Sequence, residues 1–155
     1  MTGTHSQIEH LERQRELLQR SLRSAPEVSF ENRIPGKWSA REHFAHLARH
    51  QGIFLERIHR ILHEEKPVLP SYIAEEDAHW QEWNQLQLRE IEARWNEERS
   101  AFIILLKQLG PDQFLRIGTH STMGELTLHE WMDFFLVHEG HHLFSILKLI
   151  RGRTV

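Results

Sequence analysis

Apolar residues recur along most of this chain at three- and four-residue intervals, the spacing that lines one face of an α-helix. Ile8, Leu11, Leu18 and Leu22 form the first stripe and predict a helix from about Ser6 to Ser24. Pro26 and the irregular stretch to Pro35-Gly36 end it. Ser39 and Glu42 then make a capping-box pair, in which each side chain satisfies a free backbone N–H of the other residue. Phe44, Leu47, Phe54, Ile58 and Ile61 carry the second stripe, which Pro67 and Pro70 stop. A third helical region is predicted from about Ile73 to Leu109, with a break near Asn84. Its apolar face is Trp80, Trp83, Leu86, Ile91, Trp95, Phe102, Leu105 and Leu109, and Gly110-Pro111 ends it.

Thr127 and Glu130 repeat the capping box and open a fourth helix that runs to Arg151, with Gly152 as its stop. The stretch from Pro111 to Leu126, with Gly118 and Gly124, reads as a loop. No alternating strand pattern and no Asn-Gly hairpin signal stands out. The expected fold class is therefore all-α, a four-helix bundle. A length of 155 residues suits one domain with a single core.

Composition narrows the chemistry. A formal charge of −3 and the lack of any Lys/Arg run argue against a nucleic-acid partner. No segment approaches the roughly 20 apolar residues that span a bilayer. Met1 to His10 is polar, unlike a secretory leader, so the cytoplasm is the expected location. Cysteine is absent, which removes disulfides, thiolate metal sites and a cysteine nucleophile. Any metal must be held by nitrogen and oxygen. Histidine, at 13 residues dispersed along the chain, is the unusual count.

The fourth helix carries His138-Glu139-Gly140-His141-His142. Residues i and i+4 lie about 40° apart on a helical wheel, so His138 and His142 project together and can chelate one ion. Trp131, Phe135, Ile146 and Leu149 define the buried stripe, and both histidines fall on it. His141 lies off it. Buried imidazoles need partners, since an unsatisfied polar group costs about 1–3 kcal/mol, and a metal would serve both. The motif is not HExxH, so a helical zinc-protease site is not supported. The second helix offers His43, His46 and His50 as a third ligand. They share a broad face on which His43 and His50 stand nearer the apolar stripe, and periodicity does not choose among them.

Two segments, in order, resemble the DinB superfamily of DinB/YfiT-like metalloenzymes. Trp38-Ser39-Ala40-Arg41-Glu42-His43-Phe44-Ala45-His46-Leu47 is similar to the family's "WS..E...HL" opening of its second helix. His120, Gly124-Glu125-Leu126-Thr127-Leu128 and His138 to His142 are similar to its "H...G..TL" loop and following "H...H". The resemblance implies one DinB-like domain over 1–155, a four-helix bundle with up-down-down-up topology, and often a homodimer. It also implies a divalent metal on one histidine of the second helix and two of the last. By position these are His46, His138 and His142. One departure is Ser145, where many members carry Gln three residues after the last histidine.

Three imidazoles leave open positions on Zn, Ni or Fe, the mark of a catalytic site. The activities implied by the resemblance are thiol-dependent S-transfer and metal-dependent hydrolysis of a small molecule. With no cysteine, a low-molecular-weight thiol would come as cosubstrate. A non-catalytic metal-binding or stress-related helical interaction protein is the alternative. Glu42 reads as a capping partner, and Glu139 and His141 as solvent or interface residues. Trp80, Trp83 and Trp95 read as core packing. The mixed charges from Arg89 to Arg99 read as a solvated face. His43, His50 and His120 stay open between site partners and surface histidines.

Overall fold

A computed structural model describes residues 2–153 of the chain. The single-domain reading over 1–155 extends past this range by Met1, Thr154 and Val155. Four long helices dominate: α1 (Thr2–Ser24), α2 (Ala40–His63), α4 (Leu88–Gln108) and α6 (Leu128–Ile150). Two short ones, α3 (Ala78–Gln85) and α5 (Pro111–Phe114), lie in the connections. Both expected capping boxes form, Ser39 with Glu42 at α2 and Thr127 with Glu130 at α6. Gly152 turns with φ 66° after α6. No described helix is long and apolar enough to cross a membrane.

The third helical region breaks close to Asn84 as expected, between Gln85 and Leu88, but its first helix starts at Ala78 and not at Ile73. The chain makes a 3₁₀ turn at Ala74–Glu76, and Asp77 caps α3 by accepting from the His79 N–H. Leu86 and Gln87 are extended before α4 begins. There the Gln87 N–H donates to the Glu90 carboxylate at 2.8 Å, a start not made by the usual Ser, Thr, Asp or Asn.

The all-α expectation also needs correction. Three short strands form a small sheet in the order β1-β2-β3: β1 (Val68–Leu69), β2 (Ile117–His120) and β3 (Gly124–Thr127). β1 runs parallel to β2, and β2–β3 is an antiparallel hairpin. Strands of two to four residues are too short for alternation to register. The hairpin turn is held by a side chain instead of Asn-Gly. His120 Nδ1 accepts from the Thr122 and Met123 N–H groups, each at 3.2 Å. β2 lies directly on α2, and a Cβ at Gly118 would stand 2.8 Å from Ile61.

Helix pairing follows named contacts. Gln7 donates to the His129 carbonyl and Gln14 to the Leu136 carbonyl, so early residues of α1 meet early residues of α6. Phe44 packs on Trp95 and Phe54 on Phe102, matching α2 with α4 in the same sense. Glu12 meets Lys107 while Gln19 meets Asn96, the opposite sense for α1 and α4.

Two apolar clusters fill the interior. One gathers Leu18, Phe44, Leu47, Trp95, Leu143 and Ile146; the other Leu11, Phe54, Ile58, Phe102, Trp131 and Phe135. Between them on α2, α4 and α6 stand Gln51, Arg99 and Glu139, all fully buried. Arg99 donates to Gln51 Oε1 (2.5 Å), to the Leu11 carbonyl (3.1 Å) and to both carboxylate oxygens of Glu139. Gln51 donates in turn to the Trp95 carbonyl. One guanidinium thus touches all three other long helices. This overturns two expectations: Glu139 is not a solvent or interface residue, and Arg99 is not on a solvated face. A charge pattern read along one helix does not reveal that its partner comes from another.

Removing one member leaves the other charge buried alone, which typically costs about 3–5 kcal/mol. Arg99→Ala and Glu139→Ala are each expected to lose that much in denaturant unfolding. Arg99→Met combined with Glu139→Leu is expected to recover most of it. Single substitutions costing under about 1 kcal/mol would contradict this account.

Candidate metal centre

α2 and α6 face each other along a seam of imidazoles. Helix periodicity projects His43, His46 and His50 from one side of α2 and His138 and His142 from the opposing side of α6. Gln51 and Glu139, each one residue beyond a histidine, turn to the buried Arg99 instead. The polar layer and the imidazole seam are therefore locked in register.

His46, His138 and His142 each bring one ring nitrogen into a group whose members lie within 4.8 Å of one another. His46 Nε2 stands 3.2 Å from His138 Nε2. Nitrogens held about 2.0–2.1 Å from a tetrahedral ion would be about 3.3 Å apart, so this pair has a chelating spacing. His142 Nδ1 is 2.8 Å from His43 Nδ1, a hydrogen bond that leaves His142 Nε2 free. The buried Nδ1 atoms of His46, His50 and His138 have no protein partner. The Nε2 pair at chelating spacing, and not these Nδ1 atoms, is what fits a cation that accepts nitrogen donors.

The electrostatics keep these rings neutral. Burial first, then repulsion from His138 and His43, lowers His46 to about 3. Burial and the neighbouring His141 and Arg57 bring His138 to about 4. His142 falls to about 2 through burial and the charges that four other histidines would carry. His43 drops to about 4, and His50 well below its usual value, again chiefly through burial. Neutral imidazole is the form that binds metal.

Aromatic rings wall the cluster. Trp38 lies 4.9 Å from His46 and 6.1 Å from His142, ring centre to ring centre, with Trp80 behind it at 5.0 Å. Tyr72, the single tyrosine, stacks beside His46 and lies tilted against His50, and its hydroxyl donates to Asp77 at 3.0 Å. Burial and the Asp77 carboxylate raise its pKa, so the hydroxyl stays protonated. Trp95 is core, packed on Phe44, as expected of the tryptophans.

Other singled-out residues sort cleanly. His141 is exposed, and Glu42 serves the capping box with Arg33 beside it. Ser145 turns back to the His141 carbonyl. His120 is buried and lines a small cavity with His50 and His138, so it reaches the site. His50 is buried too, its ring 4.1 Å from His138. Three residues went unnoticed in the sequence as neighbours of this seam: Trp38, Tyr72 and Arg57. For Arg57 a signal existed, because it continues the α2 histidine face two turns beyond His50 and one beyond Phe54.

Comparison with known proteins agrees with this architecture. No curated protein matches the chain. Among solved structures it is similar to YfiT from Bacillus subtilis, with a TM-score of 0.79 at 23% sequence identity. The alignment covers 96% of this chain and 86% of that one, and at this identity it shows the fold. YfiT is described as a probable metal-dependent hydrolase with an unusual four-helix bundle topology. A family model of the DinB superfamily matches residues 10–146, spanning the α2 and α6 histidines, and the chain belongs to that superfamily.

Proposed function

We propose that this protein is a metal-dependent enzyme acting on a small molecule, as a hydrolase or a thiol-dependent S-transferase. His46, His138 and His142 are its ligands for one divalent ion. The carrying observation is the convergence of one nitrogen from each of these side chains within 4.8 Å. When bound, such an ion makes a coordinated water or thiol acidic enough to ionise near neutral pH. Zinc, nickel and iron all suit an all-imidazole set.

The chain's own residues do the rest. Burial holds the ligand rings neutral, and His43 fixes the His142 ring through its Nδ1. Trp38, Trp80 and Tyr72 shield the rings from bulk water. His120 accepts hydrogen bonds at Nδ1, so its proton sits on Nε2 and it offers a donor. No cysteine is present, so a low-molecular-weight thiol enters only as a cosubstrate.

The description of YfiT supports the hydrolase arm of this reading. The helix contacts support an up-down-down-up order: α1 and α6 share one sense, while α2 and α4 share the other. We also propose a homodimer, supported by Val137 and Phe144, two exposed apolar residues two turns apart on α6.

Protein purified without a tag is expected to hold about one divalent ion per chain by elemental analysis. His46→Ala, His138→Ala and His142→Ala are each expected to lose it, while the exposed His141→Ala keeps it. Equal metal in all five proteins would remove the site. Ester hydrolysis, or thiol addition to an electrophile, should vanish on chelation and return with metal. Bound metal without turnover of either kind would overturn the enzyme reading.

The metal-free protein carries a further expectation. Its seam histidines titrate below their usual value of 6.5, so below that pH the unfolded chain binds more protons than the folded one. Stability is therefore greatest above pH 6.5 and falls as the pH drops toward the folded values. The melting temperature is expected to decline between about pH 6.5 and 5, with a shallower slope in His142→Ala. A flat profile in the parent protein would contradict the neutral cluster.

A further inference from the structure

The α2 face that carries the histidines ends in an arginine whose charge has no acid to meet it. Arg57 is 6% exposed, as deeply set as a core residue. Its Nη2 donates to the Pro70 carbonyl at 2.6 Å, and its guanidinium lies 5.5 Å from the Trp131 ring centre. Among the described residues no carboxylate stands within ion-pair distance of it. Guanidinium carries five N–H donors and does not deprotonate, and the Pro70 carbonyl is the one protein acceptor it meets among the described residues. The other deeply buried cation among the described residues, Arg99, binds Glu139 on both oxygens.

Arg57 borders a cavity of about 230 Å³ shared with His50, Tyr72, His120 and His138. His138 is one of the three proposed ligands, so the cavity opens onto the centre. No acid lines it. Side chains on a helix lean toward its N-terminus, so Arg57 leans along α2 toward His50, two turns away. Arg57 thus sets a cation on the same cavity wall as His50, His120 and His138. A desolvated cation next to uncharged donors is the setting in which an oxyanion binds most strongly.

We propose that this cavity is the substrate's anion subsite, in which Arg57 grips the carboxylate of a small carboxylic acid through its planar fork. The inference rests on the proposed metal reading for the other end of the molecule, which points past His50 toward His138. A planar two-oxygen anion matches the guanidinium fork, and the cavity admits only a compact ligand. Neutral amides of the same shape lack the charge that would offset desolvation of Arg57.

The test uses the metal-free and the zinc-loaded full chain side by side, with acetate and its neutral isostere acetamide as probes. In wild-type protein, the Arg57 side-chain N–H resonances in ¹H–¹⁵N spectra should shift with acetate and not with acetamide, in both metal states. Arg57→Gln should weaken acetate binding at least about tenfold while zinc content is unchanged. Arg57→Lys should restore part of the affinity, as expected of a charge that lacks the fork. Equal shifts with acetate and acetamide, or none, would overturn the subsite, as would undiminished acetate binding in Arg57→Gln. Because the metal-free arm does not need the ion, failure of zinc to bind would refute the metal reading while leaving the Arg57 result standing.

Discussion

The contact between Arg99 and Glu139 sets the register on which the rest of this bundle depends. A guanidinium buried between two apolar clusters reaches α1 through the Leu11 carbonyl, α2 through Gln51 and α6 through Glu139. Apolar packing alone tolerates sliding, because one leucine-sized knob resembles the next. A buried charge does not, since a shift that broke any of these bonds would strand a desolvated group. Gln51 follows His50 and Glu139 follows His138, so the same layer that aligns the helices also aligns the imidazoles across the seam. Position along α2 and α6 is specified by polar satisfaction, and the apolar clusters supply the bulk of the cohesion.

The seam makes an opposite demand. Five imidazoles lie in contact around Trp38 and Tyr72, and protonating several of them at once would bring like charges within 5 Å or so. Burial resolves this by holding the rings neutral, at the expense of nitrogens that lack hydrogen bonds. A cation at the close Nε2 pair would replace a contact between two neutral rings, while the buried Nδ1 atoms would still lack a protein partner. The Arg99 layer is closed on itself, whereas the histidine seam keeps ring nitrogens without protein partners.

Legibility followed the range of the interactions. Helix existence and the capping boxes at Ser39 and Thr127 were readable because the partners lie three or four residues apart. The inward pair His138 and His142 was readable for the same reason. The third ligand was not, since His43, His46 and His50 all reach the seam, and only the family resemblance singled out His46. Glu139 has no local signal of burial, because its partner is 40 residues away on another helix. The β2–β3 hairpin was missed because a histidine side chain does the work normally signalled by Asn-Gly. Tyr72 comes to the site on an extended connection whose path depends on β1 pairing with β2, and no local pattern encodes that.

The distribution of acids around the seam gives the site its character. Glu42 is spent on the α2 cap, Asp77 on Arg49 and the α3 cap, and Glu139 on Arg99. These three carboxylates thus have structural partners, and no acid lines the cavity beside His138. A divalent ion on three neutral imidazoles would keep its full double charge, undiminished by an anionic ligand, and Arg57 would add to it. The chain as a whole is acidic, at −3, so this positive region is local and made by placement. A field of that sign lowers the free energy of hydroxide, thiolate and carboxylate alike. A hydroxide or thiolate nucleophile and a carboxylate anchor, as proposed above, would both be favoured by a cavity wall without acids, and one carboxylate added to that wall would weaken both together.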